Sequence, residues 1–387
     1  LATVSDFFTV DVRRPKTPAP SLPNAMKKIL PLIILGLPFL ASAASDCRQP
    51  LDGRDPGCLR QAYARPLAEW PAPQVEGQVA WQEMASAKTP DLPSMISYPM
   101  LKLGIRLFFD PALSASGKIA CASCHRPEHA YADTLAVTPG HEGRQGRRNA
   151  PALVGVAGAS SLFWDGRAPT LEHQALGPIA DPAEMAMELK ELPAKLAAIP
   201  GYAEEFTAAW GDSAVTLERI QGALAAYQRT LVAERTAFDA FIDGDHKALD
   251  DRQLLGLHLF RTKARCMTCH SGPALNDNEF HNLGLTYFGR KYEDLGRYNV
   301  TGKNEDVGKF KTPTLRNISR SGPWMHNGLF RSLRGIVNMY NAGMFHPKPA
   351  NEAQAKDPRF PVTSTLVKPL ELDEREMQAL EAFLKTL

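Results

Sequence analysis

Apolar positions fall into three helical patterns. Leu217, Ile220, Leu224, Tyr227 and Leu231 recur at spacings of three and four, which predicts an amphipathic helix with Asp212 or Ser213 as its cap. Leu254, Leu255, Leu257, Leu259 and Phe260 predict a second apolar helix running straight into Cys266. Near the C-terminus, Asp373 and Glu376 form a capping-box pattern ahead of Met377, Leu380, Phe383, Leu384 and Leu387. No stretch alternates convincingly as a strand, so the predicted class is mainly α. Residues 44–95 are rich in proline and polar groups, lack periodicity, and read as an extended N-terminal segment lying over the fold. Proline outnumbers glycine, 31 to 28, which points to long irregular connections between short helices.

The N-terminal pattern is of another kind. Met26-Lys27-Lys28 is a basic start, Ile29 to Leu40 a short apolar run, and Ala41-Ser42-Ala43 a small-residue cleavage site. Together, residues 26–43 read as a secretory signal, because the run falls short of the ~20 residues that a spanning helix needs. The expectation is export to the periplasm, with no membrane span after cleavage. Residues 1–25 show no structural pattern and read as an upstream over-extension of the reading frame. Cys47 does not sit in a lipobox, since Ser45-Asp46 precedes it, and an oxidising compartment would allow it to pair with Cys58. A net charge of +2, without a long basic run or phosphate loop, excludes nucleic acid as the expected partner.

Two stretches echo each other: LGIRLFFDPALSASGKIACASCH at 103–125 and LGLHLFRTKARCMTCH at 255–270. Each has an LGxxLF core, a loop and then CxxCH, so two related modules are expected, residues 96–247 and 248–387. CxxCH is the attachment signature of c-type haem: two cysteines bond the porphyrin vinyl groups and the histidine supplies an iron ligand. Cys121, Cys124 and His125 would hold one haem, and Cys266, Cys269 and His270 the other. Zinc would want four ligands at each site, and a redox dithiol would not need histidine twice. A peroxidase needs, beyond haem, an acid–base group beside an open iron face. Glu184 in DPAEMAMELK and Gln174 in LEHQALGP are candidates. Taken alone, Glu184 reads as a solvated charge near a helix start, and Trp164 as a core aromatic.

The ordered motifs LFFDPALSASGKIACASCH, GHEGRQGRRNAPAL, FWDGRAPTLEHQALGPIADPAEM, CMTCHSGP, FKTPTLRN and GPWMHNGLFRSL resemble the bacterial di-haem cytochrome c peroxidases and their MauG-type relatives across residues 96–387. The resemblance implies two cytochrome c-like haem domains packed around an interface, with long irregular loops. It makes the first haem the peroxide-reacting site, with His125 proximal and Gln174, Pro178 and Glu184 in its distal pocket. Trp164 falls between the haems. Asn149, with the carbonyls of Ser321 and Pro323, matches a calcium site, and oxygen-only ligation suits Ca²⁺. Ser321 stands where the family more often has threonine. His141 falls where many of the peroxidases carry a distal histidine that caps the first iron until the second haem is reduced. His173, His258 and His281 have no motif behind them.

For the second iron, the register of SLRGIVNMY puts Tyr340 at the distal position, as in the MauG branch, with Met344 its rival. On a helix Ile336, Tyr340 and Met344 share one face, while Gly343 is expected to end the helix and leave Met344 and His346 on a freer segment. Sulfur would raise the potential, whereas a phenolate would lower it. The leading expectation is a periplasmic peroxidase that reduces hydrogen peroxide to water with electrons from a small c-type cytochrome or similar donor. The alternative is a MauG-like enzyme that stores two oxidising equivalents and oxidises residues of a partner protein. A di-haem electron carrier is the non-enzymatic reading, against which Glu184 and Gln174 argue. The resemblance is also compatible with a homodimer.

Overall fold

The computed structural model describes residues 47, 51, 53–88 and 91–387. The signal at 26–43 and the extension at 1–25 lie outside the described residues. The helices are α1 (Pro56–Tyr63), α2 (Tyr98–Phe109), α3 (Leu171–Ala180), α4 (Leu192–Ala197), α5 (Tyr202–Trp210) and α6 (Leu217–Arg229). They continue as α7 (Ala237–Ile242), α8 (Asp251–Arg261), α9 (Tyr298–Thr301), α10 (Leu333–Asn341), α11 (Glu352–Lys356) and α12 (Glu374–Leu384). The fold is mainly helical. One ladder interrupts it: β1 (Phe280–Asn282) pairs antiparallel with β2 (Lys309–Lys311), Phe280 opposite Lys311. Three-residue strands are too short to leave an alternating signal, which is why the sequence does not announce them.

Two of the predicted helix ends differ from expectation. α6 is capped by Thr216, whose hydroxyl accepts the Arg219 N–H at 3.3 Å. Asp212 sits too far ahead to reach that N–H and instead binds the Arg219 guanidinium at 2.5 and 2.8 Å. α8 stops at Arg261 rather than running into Cys266, since Thr262 leaves the helical region (φ −112°, ψ −106°), and Arg265 then takes a left-handed conformation (φ 51°) just before Cys266. The capping box of α12 forms as expected: Asp373 accepts the Glu376 N–H at 2.8 Å, and Glu376 the Asp373 N–H at 2.9 Å.

Two hydrophobic cores organise the chain. Leu103, Leu107 and Phe108 of α2 pack with Ile220 and Leu224 of α6 and Phe206 of α5. Leu254, Leu257 and Phe260 of α8 pack with Leu380 and Phe383 of α12 and Phe238 of α7. The glycine of each LGxxLF repeat marks a crossing. A Cβ at Gly104 would lie 2.1 Å from the Ala223 carbonyl oxygen of α6, and one at Gly256 2.0 Å from that of Ala379 in α12. Only glycine lets the backbones approach so closely. The repeated motif is therefore a helix-crossing device as well as a prelude to CxxCH.

The segment before α2 is less irregular than its composition implies, since it holds α1, tied to the preceding chain by a Cys47–Cys58 disulfide. Residues 70–88 then run along the second core. The buried Arg261 guanidinium binds the Pro71 carbonyl at 3.0 Å and pairs with Glu83, and Arg316 holds the Ala85 carbonyl. This strap also touches the second CxxCH loop, where the Gly272 N–H donates to the Gln82 carbonyl at 3.0 Å. Among the described residues, no helix is long and apolar enough to cross a membrane.

Candidate active site

Both CxxCH motifs are built the same way. The Cys121–Ser123 and Cys266–Thr268 turns are single 3-10 turns, closed by His125 N–H to the Cys121 carbonyl and His270 N–H to the Cys266 carbonyl, each at 2.9 Å. The ring Nδ1 of His125 bonds the Tyr131 carbonyl at 2.9 Å, and that of His270 the Leu275 carbonyl at 3.0 Å. A carbonyl only accepts, so each Nδ1 carries the proton and each Nε2 keeps its lone pair. Tyr131 (φ 57°) and Leu275 (φ 52°) are both left-handed, so the same tight turn aims the accepting carbonyl in each repeat. Burial lowers the pKa of both imidazoles, which favours the neutral, ligating form.

A single cavity of about 820 Å³ is lined by all six of these residues. The four cysteines are unbonded thiols. Paired thiols, a neutral imidazole with a free Nε2 and a continuous cavity fit a covalently attached haem at each motif.

α3 contributes Gln174 and Pro178 to the same cavity, four residues apart and on one helical face. Glu184 is not at a helix start. It lies in a turn just past α3, with its N–H donating to the Asp181 carbonyl at 3.0 Å, and it lines the cavity while remaining exposed to solvent. Burial and repulsion from Asp181 raise its carboxyl pKa, against a smaller opposing pull from Arg167. His141 is brought close by its backbone, since its N–H donates to the Glu184 carbonyl at 2.8 Å. Its imidazole does not line the cavity; Nδ1 is buried without a partner and Nε2 lies 3.8 Å from Glu142.

Trp164 lines the same cavity as the two motifs. Its indole N–H donates to the Asn149 carbonyl at 2.9 Å, and its own carbonyl accepts the Lys311 N–H at 2.8 Å. Asn149, Ser321 and Pro323 also line the cavity, and the Asn149 N–H donates to the His326 carbonyl at 2.7 Å. In the second site, Tyr340 and Ile336 of α10 face the cavity, and burial pushes the Tyr340 phenol pKa up. Gly343 (φ 86°) ends α10: its N–H donates to the Tyr340 carbonyl and that of Met344 to the Met339 carbonyl, at 2.9 and 2.8 Å. This closure turns Met344 away. It is buried (5 % exposed), off the cavity, and not on a freer segment as expected.

Several cavity residues escape the motif reading. Arg148 forms ion pairs with Asp165 at 2.6 Å and Asp294 at 2.7 Å, all three half-buried or buried on the cavity wall. Asp294 lies 146 residues away in sequence, so no local spacing signals the partnership. His281 also lines the cavity and pairs with Asp277 at 2.7 Å, whereas His258 is structural, bound to the Tyr63 hydroxyl and the Leu51 carbonyl.

The family model for di-haem cytochrome c peroxidase matches residues 99–247. The methylamine utilization protein MauG of Methylophilus methylotrophus is 36% identical over 309 residues, covering 78% of this chain and 87% of that protein. Cytochrome c551 peroxidase of Nitrosomonas europaea is 40% identical over 239 residues, covering 62% and 71%. Among solved structures, the diheme peroxidase BthA of Burkholderia thailandensis superposes with a TM-score of 0.66 at 26% identity, covering 82% of this chain and 93% of that one. A MauG-like protein associated with microbial copper homeostasis gives 0.68 at 29% identity, covering 80% and 95%. The chain belongs to the di-haem cytochrome c peroxidase family, oxidoreductases that act on peroxide and carry two c-type haems.

Proposed function

We propose that the chain is a periplasmic peroxidase that reduces hydrogen peroxide to two waters, consuming two protons and two electrons from a small c-type cytochrome or similar donor. The observation that carries this reading is that Glu184, Gln174 and Pro178 line the same cavity as His125. When bound, the haem irons supply the redox chemistry. Glu184 would take a proton from one peroxide oxygen and return it to the departing oxygen, and its raised pKa makes it a stronger base for the first transfer. Gln174 orients the peroxide, and Pro178 keeps that wall apolar. Trp164 links the sites through its hydrogen bonds to Asn149 and Lys311. The proposed units are residues 96–247 around His125 and 248–387 around His270. The Asn149 side chain and the Ser321 and Pro323 carbonyls form the calcium site at their junction.

Glu184→Gln tests the assignment. Turnover should fall by about 10²–10⁴-fold while both haems stay attached. Unchanged turnover would remove Glu184 from its role.

His141 acts as a gate: its loop is tied to the Glu184 turn by the His141 N–H, so movement of that loop would carry the imidazole toward or away from the first site. A second reading has a specific observation behind it. Tyr340, not Met344, faces the second site, and a phenolate there favours storage of oxidising equivalents and oxidation of a partner protein, the MauG-like alternative.

A further inference from the structure

Lys311 belongs to neither proposed catalytic wall, yet it is one of the residues that line the cavity. It closes β2, opposite Phe280, on the stretch that follows His270. Its backbone N–H donates to the Trp164 carbonyl at 2.8 Å, and its ammonium donates to the Asn278 side-chain oxygen at 2.7 Å. That oxygen is neutral and already accepts the Ser160 N–H at 3.2 Å.

The other half-buried or buried cations of the cavity wall are neutralised. Arg148 pairs with Asp165 and Asp294, Arg265 with Glu76, and His281 with Asp277. Among the described residues no carboxylate forms an ion pair with Lys311, although Asp277 and Glu279 are near enough to act on it through space. Burial accordingly lowers its pKa. A half-buried ammonium held only by a shared amide oxygen is poorly compensated, and a carboxylate on the cavity side would correct that. A haem carries two propionate carboxylates.

We propose that Lys311 is the anchor for a propionate of the haem attached at Cys266, Cys269 and His270, and that it tethers this carboxylate through its own backbone to Trp164. Lys311 is a positioning residue: it touches the cofactor's rim, not the reacting atoms. Its charge has a defined consequence. Reduction adds an electron to the haem, and a neighbouring cation favours the reduced form, so Lys311 raises the potential of that haem. The hydrogen bond to Trp164 would also give electrons a bonded path from the second haem's rim to the residue between the sites.

The inference rests on haem attachment at His270, so the test separates the two. Lys311→Gln keeps a donor for Asn278 but removes the charge, and Lys311→Arg keeps the charge. Both are prepared as the holoprotein, with mass spectrometry of the peptide containing residues 266–270 to verify haem attachment, and both potentials are measured by spectroelectrochemistry. In Lys311→Gln one potential should fall, with the equilibrium between reduced and oxidised haem shifting about tenfold, or about 59 mV for one electron. Lys311→Arg should restore most of the shift. If both potentials stay within twofold of the parent equilibrium while haem is present on that peptide, the anchor is wrong and the attachment stands. If the peptide carries no haem, the attachment itself fails and the anchor with it.

Discussion

Gly256 offers a sharp test of how the two haem modules are assembled. In Gly256→Ala the new Cβ would lie 2.0 Å from the Ala379 carbonyl oxygen and 2.5 Å from the Phe383 Cβ. A carbon–oxygen contact settles at about 3.3 Å or more, so α8 and α12 must separate by roughly 1.3 Å. Neither obstacle is the flexible end of a side chain, which places the cost at the upper end of overpacking, about 3 kcal/mol. Alanine's better helix propensity returns about 1 kcal/mol. The net loss of about 2 kcal/mol should lower the melting temperature by about 4–8 °C, taking the half concerned as a unit of roughly 150 residues. Gly104→Ala faces the same geometry against Ala223, at 2.1 Å, and should behave alike while disturbing the first haem's spectrum instead of the second's. Gly222→Ala in α6 is the internal control, because its nearest contacts are Met100 at 3.5 Å and Trp210 at 3.8 Å. It should gain up to about 1 kcal/mol. Thermal melts of the three holoproteins, followed by circular dichroism and haem absorption, measure all of this. A Gly256→Ala melting temperature equal to the parent's would refute the close crossing.

The remaining predictions concern chemistry. The acid limb of the pH–rate profile should lie above the ordinary carboxylate range, because burial disfavours the charged form of Glu184; in Glu184→Gln that limb should vanish along with most of the rate. In Tyr340→Met, exchanging phenolate for thioether should raise the second haem's potential and shorten the lifetime of any stored oxidising equivalents after peroxide addition; an unchanged potential and spectrum would mean that Tyr340 does not ligate iron. His141→Gly should react with peroxide without prior reduction of the second haem, and a persisting requirement for pre-reduction would end the gate assignment.

The chain's motifs determined a good deal by themselves. CxxCH is a local signature, since five consecutive residues suffice to present two sulfurs and an imidazole to one macrocycle edge, and the duplicated LGxxLF…CxxCH announced two sites. Capping of α12 was equally legible, because Asp373 and Glu376 lie within one helical turn. Gln174 and Pro178 share a face for the same short-range reason. Tertiary structure decided the rest. That Glu184 lines the cavity, while staying exposed to solvent, follows from the turn past α3 folding back on Pro178, whose carbonyl accepts the Met185 N–H at 3.1 Å. Tyr340 faces the second site and Met344 does not because the closure at Gly343 redirects the chain, which a helical projection cannot see. Arg148 with Asp294, and Lys311 with Trp164, join residues 146 and 147 positions apart. Such pairs leave no periodicity in a sequence, because burial and charge compensation act across space, between groups that only the folded chain brings together.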